Sequence, residues 1–445
     1  MLREMSSNQA SQAPVEFYNS IMGLKNFLSV TNRSELINRY SDFFAILPYL
    51  IFGAFTQVIS LLLSPIKYIS DSTDPFCNYY ITKFRVFHAH IDCDAQYFLL
   101  DSQDPMRLVS NSTPLQDRPL HSFTVFVISK VLSFLGAPVG PITYVGQDKI
   151  PQTYFLLNYT IFIFINLAIL MTSLYIALKA LNGRFGSSKR LHHLSFIFVT
   201  LLVTQNPITR EFFWTPHSQL FNILIPCLLF YLIQPHVVIT KHRFWILIAT
   251  ISMSLLIYPS PYTLLPIFFI KTYRDLGKKY SALILVSLLP KLVWPFILNA
   301  MGGEYIDWPV RYYRRFVWIF DSIKTESLPQ DLATNLSKFI NSLPFSWSAM
   351  MLSLMTIATL YALKSRIWQK NSGTNYFTDC VIVLGIYASG IMLQGGYGPR
   401  FTTSLVVLIG LMVINMLDTR IMRYSYIKGL IVLVAALNVI YWVRL

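Results

Sequence analysis

The stretch Arg118-Pro119-Leu120-His121-Ser122-Phe123-Thr124-Val125-Phe126-Val127-Ile128-Ser129-Lys130-Val131-Leu132-Ser133-Phe134-Leu135-Gly136 decides how this chain is threaded. It is apolar enough to read as a membrane span, yet Arg118, His121 and Lys130 interrupt it. Working outward, apolar runs of span length recur along the chain, among them Phe43 to Ser64, Thr153 to Leu178, Leu283 to Ala300 and Phe401 to Leu417. A spanning helix needs roughly 20 such residues. Hydrophobic residues make up 54% of the 445 and charged residues 13%, a balance that excludes an ordinary soluble domain. The expected class is an all-α polytopic membrane protein with one transmembrane domain over residues 42–445, after a cytoplasmic segment 1–41. That segment carries Arg3, Lys25, Arg33 and Arg39 and no apolar core, so no cleavable signal peptide is expected and the first span does the targeting.

The formal charge of +15 is not a nucleic-acid footprint. Lys and Arg fall in short clusters between apolar runs: Arg184, Lys189 and Arg190; Lys241 and Arg243; Lys271, Arg274, Lys278 and Lys279; Lys364, Arg366 and Lys370; Arg420, Arg423 and Lys428. Such clusters mark the cytoplasmic side of a membrane protein, whereas a nucleic-acid groove mixes cations with exposed aromatics on one surface. With all of them inside, the spans are 42–64, 153–181, 191–206, 216–235, 244–258, 261–272, 281–300, 346–363, 377–393, 401–417 and 428–443, eleven in number and alternately outward and inward. Counting 118–136 as a twelfth would invert every later loop, so it is read as an amphipathic helix in the membrane plane, with His121 and Lys130 towards water. A cysteine near Gly146 is therefore expected to react with an impermeant reagent from the same side as one at Ser112; labelling from opposite sides would overturn the eleven-span count.

The pair 244–272 is irregular, because its limbs meet at Tyr258-Pro259-Ser260-Pro261 and each is short. A broken helix is tolerated where its freed backbone faces protein or a water-filled cavity, which places a cavity on the outer side. Most carboxylates lie outside with it, and two outer loops, 65–152 and 301–345, are long enough to be functional. The first contains Phe87-His88-Ala89-His90-Ile91-Asp92-Cys93-Asp94-Ala95-Gln96-Tyr97-Phe98-Leu99-Leu100, in which Asp94 opens a short interfacial helix. A carboxylate there can act as general base on an acceptor hydroxyl, or hold a divalent cation against a phosphate leaving group; equally, it can cap the helix. An extended chain would put His88, His90, Asp92 and Asp94 on one side, as a metal site requires, whereas a helix would scatter them as surface groups.

These residues resemble the GT-C superfamily of membrane glycosyltransferases. In that superfamily an acidic motif follows the first span and one or two helices then lie flat on the membrane. Asp92 and Asp94 match the acidic motif as Asp-Cys-Asp, Asp94-Ala95-Gln96-Tyr97 resembles the opening of the first flat helix, and Arg118-Pro119-Leu120 resembles the start of the second. Gly398-Pro399-Arg400-Phe401 is similar to the Arg-aromatic pair that several bacterial members place by the lipid phosphate. The resemblance implies an active site facing outward from a bacterial inner (plasma) membrane. The implied partners are a polyprenyl-phosphate-linked sugar donor, a glycan, lipid or protein acceptor, and membrane lipids. Asp94 and Asp92 are the candidate catalytic residues, and a divalent cation is left open.

Candidate substrate-binding residues are Arg400, beside Gly395, Gly396 and Gly398, together with Arg210, Glu211, His217 and Arg118. A guanidinium and exposed backbone N–H groups suit a phosphate; the same residues also suit a plain interfacial belt. The stretch Trp308-Pro309-Val310-Arg311-Tyr312-Tyr313-Arg314-Arg315 suits a lipid headgroup or sugar rings. Cys77 and Cys93 share one outer loop, with their pairing open, while Cys227 and Cys380 read as packing residues inside spans. Two alternatives stand beside the transferase. An O-antigen or polysaccharide polymerase shares the lipid-linked chemistry, and a lipid-linked glycan transporter or flippase predicts charges buried within spans and repeated halves.

Overall fold

A computed structural model describes residues 42–60, 80–84, 87–90, 93–110, 113–137, 155–182, 189–306, 316–342, 374–394, 399–416 and 429. Spans 346–363 and, but for one residue, 428–443 lie outside the described residues, as do Cys77, Asp92, Gly395, Gly396, Gly398 and the stretch 308–315. The chain divides into two compact units, Met1–Pro48 and Tyr49–Leu445. Of the first, the described residues are the opening turns of helix α1, Asp42–Ser60. The second is mainly helical.

After a short antiparallel pair, β1 (Tyr80–Phe84) and β2 (Phe87–His90), come α2 (Cys93–Gln103), α3 (Pro119–Phe134), α4 (Phe155–Asn182) and α5 (Lys189–Thr204). Then follow α6 (Pro207–Phe212), α7 (Phe221–Leu232), α8 (Lys241–Leu255) and α9 (Leu265–Leu276). The chain continues through α10 (Lys278–Ala300), α11 (Val317–Lys324), α12 (Leu328–Ser342), α13 (Thr374–Gln394) and α14 (Pro399–Met416). Among the described residues, three helices are long and apolar enough to cross a membrane: Asp42–Ser60, Leu157–Asn182 and Lys278–Ala300. The apolar helices Pro119–Phe134, His192–Thr204, Ser218–Leu232, Asp379–Gln394 and Thr402–Asn415 are shorter. On α10, Leu289, Leu292 and Phe296 form an exposed stripe, with Phe296 73% accessible. Water would oppose so large an apolar face.

Helix α7 is the centre of the unit, packed between α4 and α14. Ten of its twelve residues are buried, which explains why it is apolar on every side. Each fully buried Leu, Ile or Phe contributes about 1.5–3 kcal/mol relative to exposure. Cys227 on this helix and Cys380 on α13 are buried, in keeping with a packing role.

Helices α1 and α5 run parallel, tied in sequence order by polar pairs. The Tyr49 hydroxyl meets His193 Nδ1, Thr56 Oγ1 donates to Thr204 Oγ1 at 3.2 Å, and Ser60 Oγ donates to Gln205 Oε1 at 3.2 Å. Gly53 allows the close approach, since a Cβ there would stand 2.9 Å from Leu174 Cδ2 and 3.1 Å from Thr204 Cγ2. The loops sort into two groups by their contacts. Arg274 pairs with Asp379 at 2.9 Å, and Asp275 accepts the Ile239 N–H at 2.8 Å, joining basic segments to one another. Residues 98–110, 113–121, 214–217, 256–258 and 303–306 form the other group.

The proline-rich break between α8 and α9 forms where expected. Helix α8 stops at Leu255, a 3-10 turn Ser260–Leu264 follows, and Tyr258, Ser260 and Pro261 are buried in protein. The Leu256 carbonyl at the broken end accepts the Leu120 N–H of the first turn of α3 at 3.2 Å. Each helix end thus satisfies an orphan group of the other.

Helix α3 begins beside the start of α4, with the His121 and Phe162 rings 5.0 Å apart. Lys130 is exposed as expected, but His121 is not turned to water: it is buried. Its ring fills the space between Phe98 and Phe162, where apolar contact outweighs hydration of a neutral imidazole.

Candidate functional site

Local sequence builds the site from capped turns. Asn206 caps α6 by accepting the Thr209 N–H at 3.0 Å, and Pro207 occupies the first helical position. The other end of α6 is held from α4, where buried Asn166 Nδ2 donates to the carbonyls of Phe212, Phe213 and Thr215 at 3.2, 3.0 and 2.9 Å. Two turns earlier on α4, Tyr159 Oη donates to the Trp214 carbonyl at 2.7 Å, and Asn158 Nδ2 donates to Ser102 O and Oγ at 3.1 and 3.0 Å. One polar face of α4 therefore fixes both the end of α2 and the loop after α6.

That loop carries His217, which is buried and caps the 3-10 turn Ser218–Leu220 by accepting the Gln219 N–H on Nδ1 at 3.2 Å. Phe98 of α2 stands between His217 and His121, with both ring centroids 5.3 Å from its own. Gln219 Oε1 accepts from Tyr258 Oη at 2.8 Å and from Asn222 Nδ2 at 2.6 Å. Asn222 Nδ2 also reaches Tyr258 Oη at 2.9 Å. The Arg118 guanidinium lies over the Tyr258 ring, 5.8 Å from its centroid, and its Nε donates to Asp117 Oδ2 at 3.3 Å. Lys291 Nζ donates to the Asp117 carbonyl. Neighbouring Gln116 is held on three sides: its carbonyl accepts Trp294 Nε1 at 2.7 Å, its Nε2 donates to Leu108 O at 2.8 Å, and its Oε1 accepts the Ile306 N–H at 2.9 Å. The result is a buried junction of the 113–121 segment, the 217–222 turn, the helix break and the end of α10. It brings together the Asp117 carboxylate, the Arg118 guanidinium and the Lys291 ammonium, a set that can orient a polar ligand and offset negative charge.

Buried Asp101 accepts Thr113 Oγ1 at 2.6 Å and Arg107 Nε at 3.3 Å. Burial raises its pKa to about 6 against the pull of those two partners, whereas burial and then the neighbouring His217 lower His121 to about 3. The two act in opposite senses. The fold keeps a proton on Asp101 that the unfolded chain releases, so this residue's contribution is full below about pH 4 and is lost as pH rises to about 6. His121 is neutral in the fold, so its contribution is present above about pH 6.5 and is lost as pH falls towards 3. Relative to the wild type, His121→Gln is expected to gain stability as pH falls from about 6.5 towards 3, read by thermal melts; parallel pH profiles for the two proteins would refute a buried neutral His121.

Of the residues singled out in the sequence, Arg118 and His217 join this junction. Asp94 lies in the first turn of α2, with Asp92 just beyond the described residues. His88 and His90 lie on the extended strand β2, which pairs Tyr80 with His90 and Thr82 with His88. Arg210 and Glu211 stand on α6, the former half-buried and the latter exposed, next to Phe212, whose ring lies 5.0 Å from that of His217. Arg400 lies in the first turn of α14. Among the described residues no three His, Cys, Asp or Glu side chains form a metal-holding group.

Asp117, His121, Asn222, Tyr258 and Lys291 were not selected from the sequence. Lys291 carried a usable signal, because it interrupts the otherwise apolar run 283–300, and an ionisable residue within such a run is functional by default. Comparison with protein-family models, curated proteins and solved structures yields no match for this chain.

Proposed function

We propose that this chain is an eleven-span membrane glycosyltransferase that moves a sugar from a polyprenyl-phosphate carrier to a glycan, lipid or protein acceptor on the outer face of a bacterial plasma membrane. The observation that carries the reading is the junction itself. The segments that charge parity assigns to the outer side, around Phe98, Gln116, His217, Tyr258 and Ile306, touch one another, and Asp117, Arg118 and Lys291 are gathered among them.

In this reading the acceptor hydroxyl attacks the anomeric carbon of the donor. The new C–O bond forms as the bond to the carrier phosphate breaks, and polyprenyl phosphate leaves. The hydroxyl proton passes to the Asp94 carboxylate, with Asp92 as its alternative. Arg118 and Lys291 are the nearest cations of the junction to offset the charge on the leaving phosphate, joined by Arg210 and Arg400. Glu211 and His217 contact the sugar or acceptor.

A lipid-linked glycan transporter is the second reading, favoured by one observation: Lys291 is an ionisable residue within the candidate span Lys278–Ala300. Mass spectrometry of lipid-linked glycans from cells with and without the protein separates these readings. Absence of one sugar in the deletion is expected for the transferase. Accumulation of the complete lipid-linked glycan indicates transport, and a shift from long chains to single repeats indicates polymerisation.

A further inference from the structure

Among the described residues, five polar atoms of the junction are buried and make no hydrogen bond: Asp117 Oδ1, His121 Nε2, Ser218 Oγ, Asn222 Oδ1 and Ser260 Oγ. They belong to three segments that touch one another, through Arg118 over Tyr258, His121 and His217 on either side of Phe98, and Asn222 bonded to Tyr258. Native structures leave few buried polar atoms unpaired, because each has lost its water without gaining a partner. Their gathering on the facing segments of one junction marks a place where a polar ligand sits.

The atoms also define that ligand. A carboxylate oxygen and an amide carbonyl oxygen can only accept hydrogen bonds, while a serine hydroxyl serves either way. Such a set is matched by a neutral group that brings several donors. Phosphate or sulfate would set acceptor against acceptor. We infer that the junction is a sugar-hydroxyl site: Asp117 Oδ1 and Asn222 Oδ1 each accept a hydroxyl of one glycosyl ring, and Ser218 and Ser260 complete its hydrogen bonding. The inference rests on the transferase reading only in taking that ring as part of the donor or the acceptor.

The test uses the purified full chain in detergent. Its thermal unfolding midpoint is followed with methyl glycosides of glucose, galactose, mannose and N-acetylglucosamine, and separately with inorganic phosphate. At least one glycoside is expected to raise the midpoint. Ser260→Ala and Ser218→Ala remove hydroxyls that bond to nothing in the free protein, so both should keep or raise the midpoint without ligand. Each should weaken the glycoside roughly 3- to 10-fold. Asp117→Asn puts a donor where an acceptor is needed and should weaken it about tenfold or more. Lys130→Ala, on the exposed side of α3, should change nothing. Stabilisation by phosphate alone would make this an anion site, and no effect of either ligand class would leave bridging water as the occupant; both results overturn the inference. Glycoside binding with an unchanged cellular glycan profile would keep the sugar site and remove the transferase reading, and a changed profile without glycoside binding would do the reverse.

Discussion

Asp94→Asn is expected to lower sugar transfer about 100- to 10,000-fold, the usual contribution of a positioned general base, while the protein still inserts and accumulates. The amide keeps the size of the carboxylate and can still cap a helix start. Helix α2 is held elsewhere, by Ser102 against Asn158 and by Phe98 in an aromatic cluster with His121, Phe162 and His217, so the substitution leaves its seating intact. Activity is measured as transfer from a polyprenyl-phosphate sugar in membranes with matched protein content. Asp92→Asn is the companion. If Asp92→Asn abolishes transfer and Asp94→Asn does not, the base lies two residues upstream. If both variants stay active, this acidic motif is not the catalytic centre.

The largest stability effect is expected at Arg118. Asp117 is almost wholly enclosed, its side chain 3% accessible, and Arg118 is its side-chain cation at 3.3 Å. Removing one partner of a buried pair leaves an uncompensated charge and costs on the order of 3–5 kcal/mol. Arg118 is itself 12% accessible, so Arg118→Met is expected near the lower end, about 3 kcal/mol, including the cation–π contact with Tyr258. That is a large part of the roughly 5–15 kcal/mol that holds a domain folded. Adding Asp117→Asn should restore part of the loss, because the stranded charge is gone. A thermodynamic cycle over the two single variants and the double variant measures this coupling. Strictly additive losses would show that the pair contributes nothing to the fold.

Much of the helical layout is readable along the chain. Helix ends at Asn206-Pro207, Thr240 and the Tyr258 to Pro261 break follow from side-chain caps and from proline's missing N–H, which act within a few residues. The start of α2 at Cys93 and the helix over Pro119–Phe134 were legible for the same reason. The side chosen for each loop came from where Lys and Arg accumulate, another quantity summed along the sequence.

The composition of the site was a different matter. His121 looked amphipathic and is buried, because the space between Phe98 and Phe162 exists only once α2, α3 and α4 have packed. Lys291 meets the Asp117 carbonyl across 174 residues of sequence, and Trp294 meets Gln116 across 178. Periodicity and propensity carry no information about pairs so far apart, since each residue's local preference is satisfied with or without its partner. By itself the sequence determined the apolar character of the chain and where most described helices begin and end, since these depend on backbone chemistry and hydrophobicity acting over a few turns. Only the tertiary structure decided which buried acceptors are left facing one another at the junction, because that depends on how α3, α7, α10 and the helix break close around the same point.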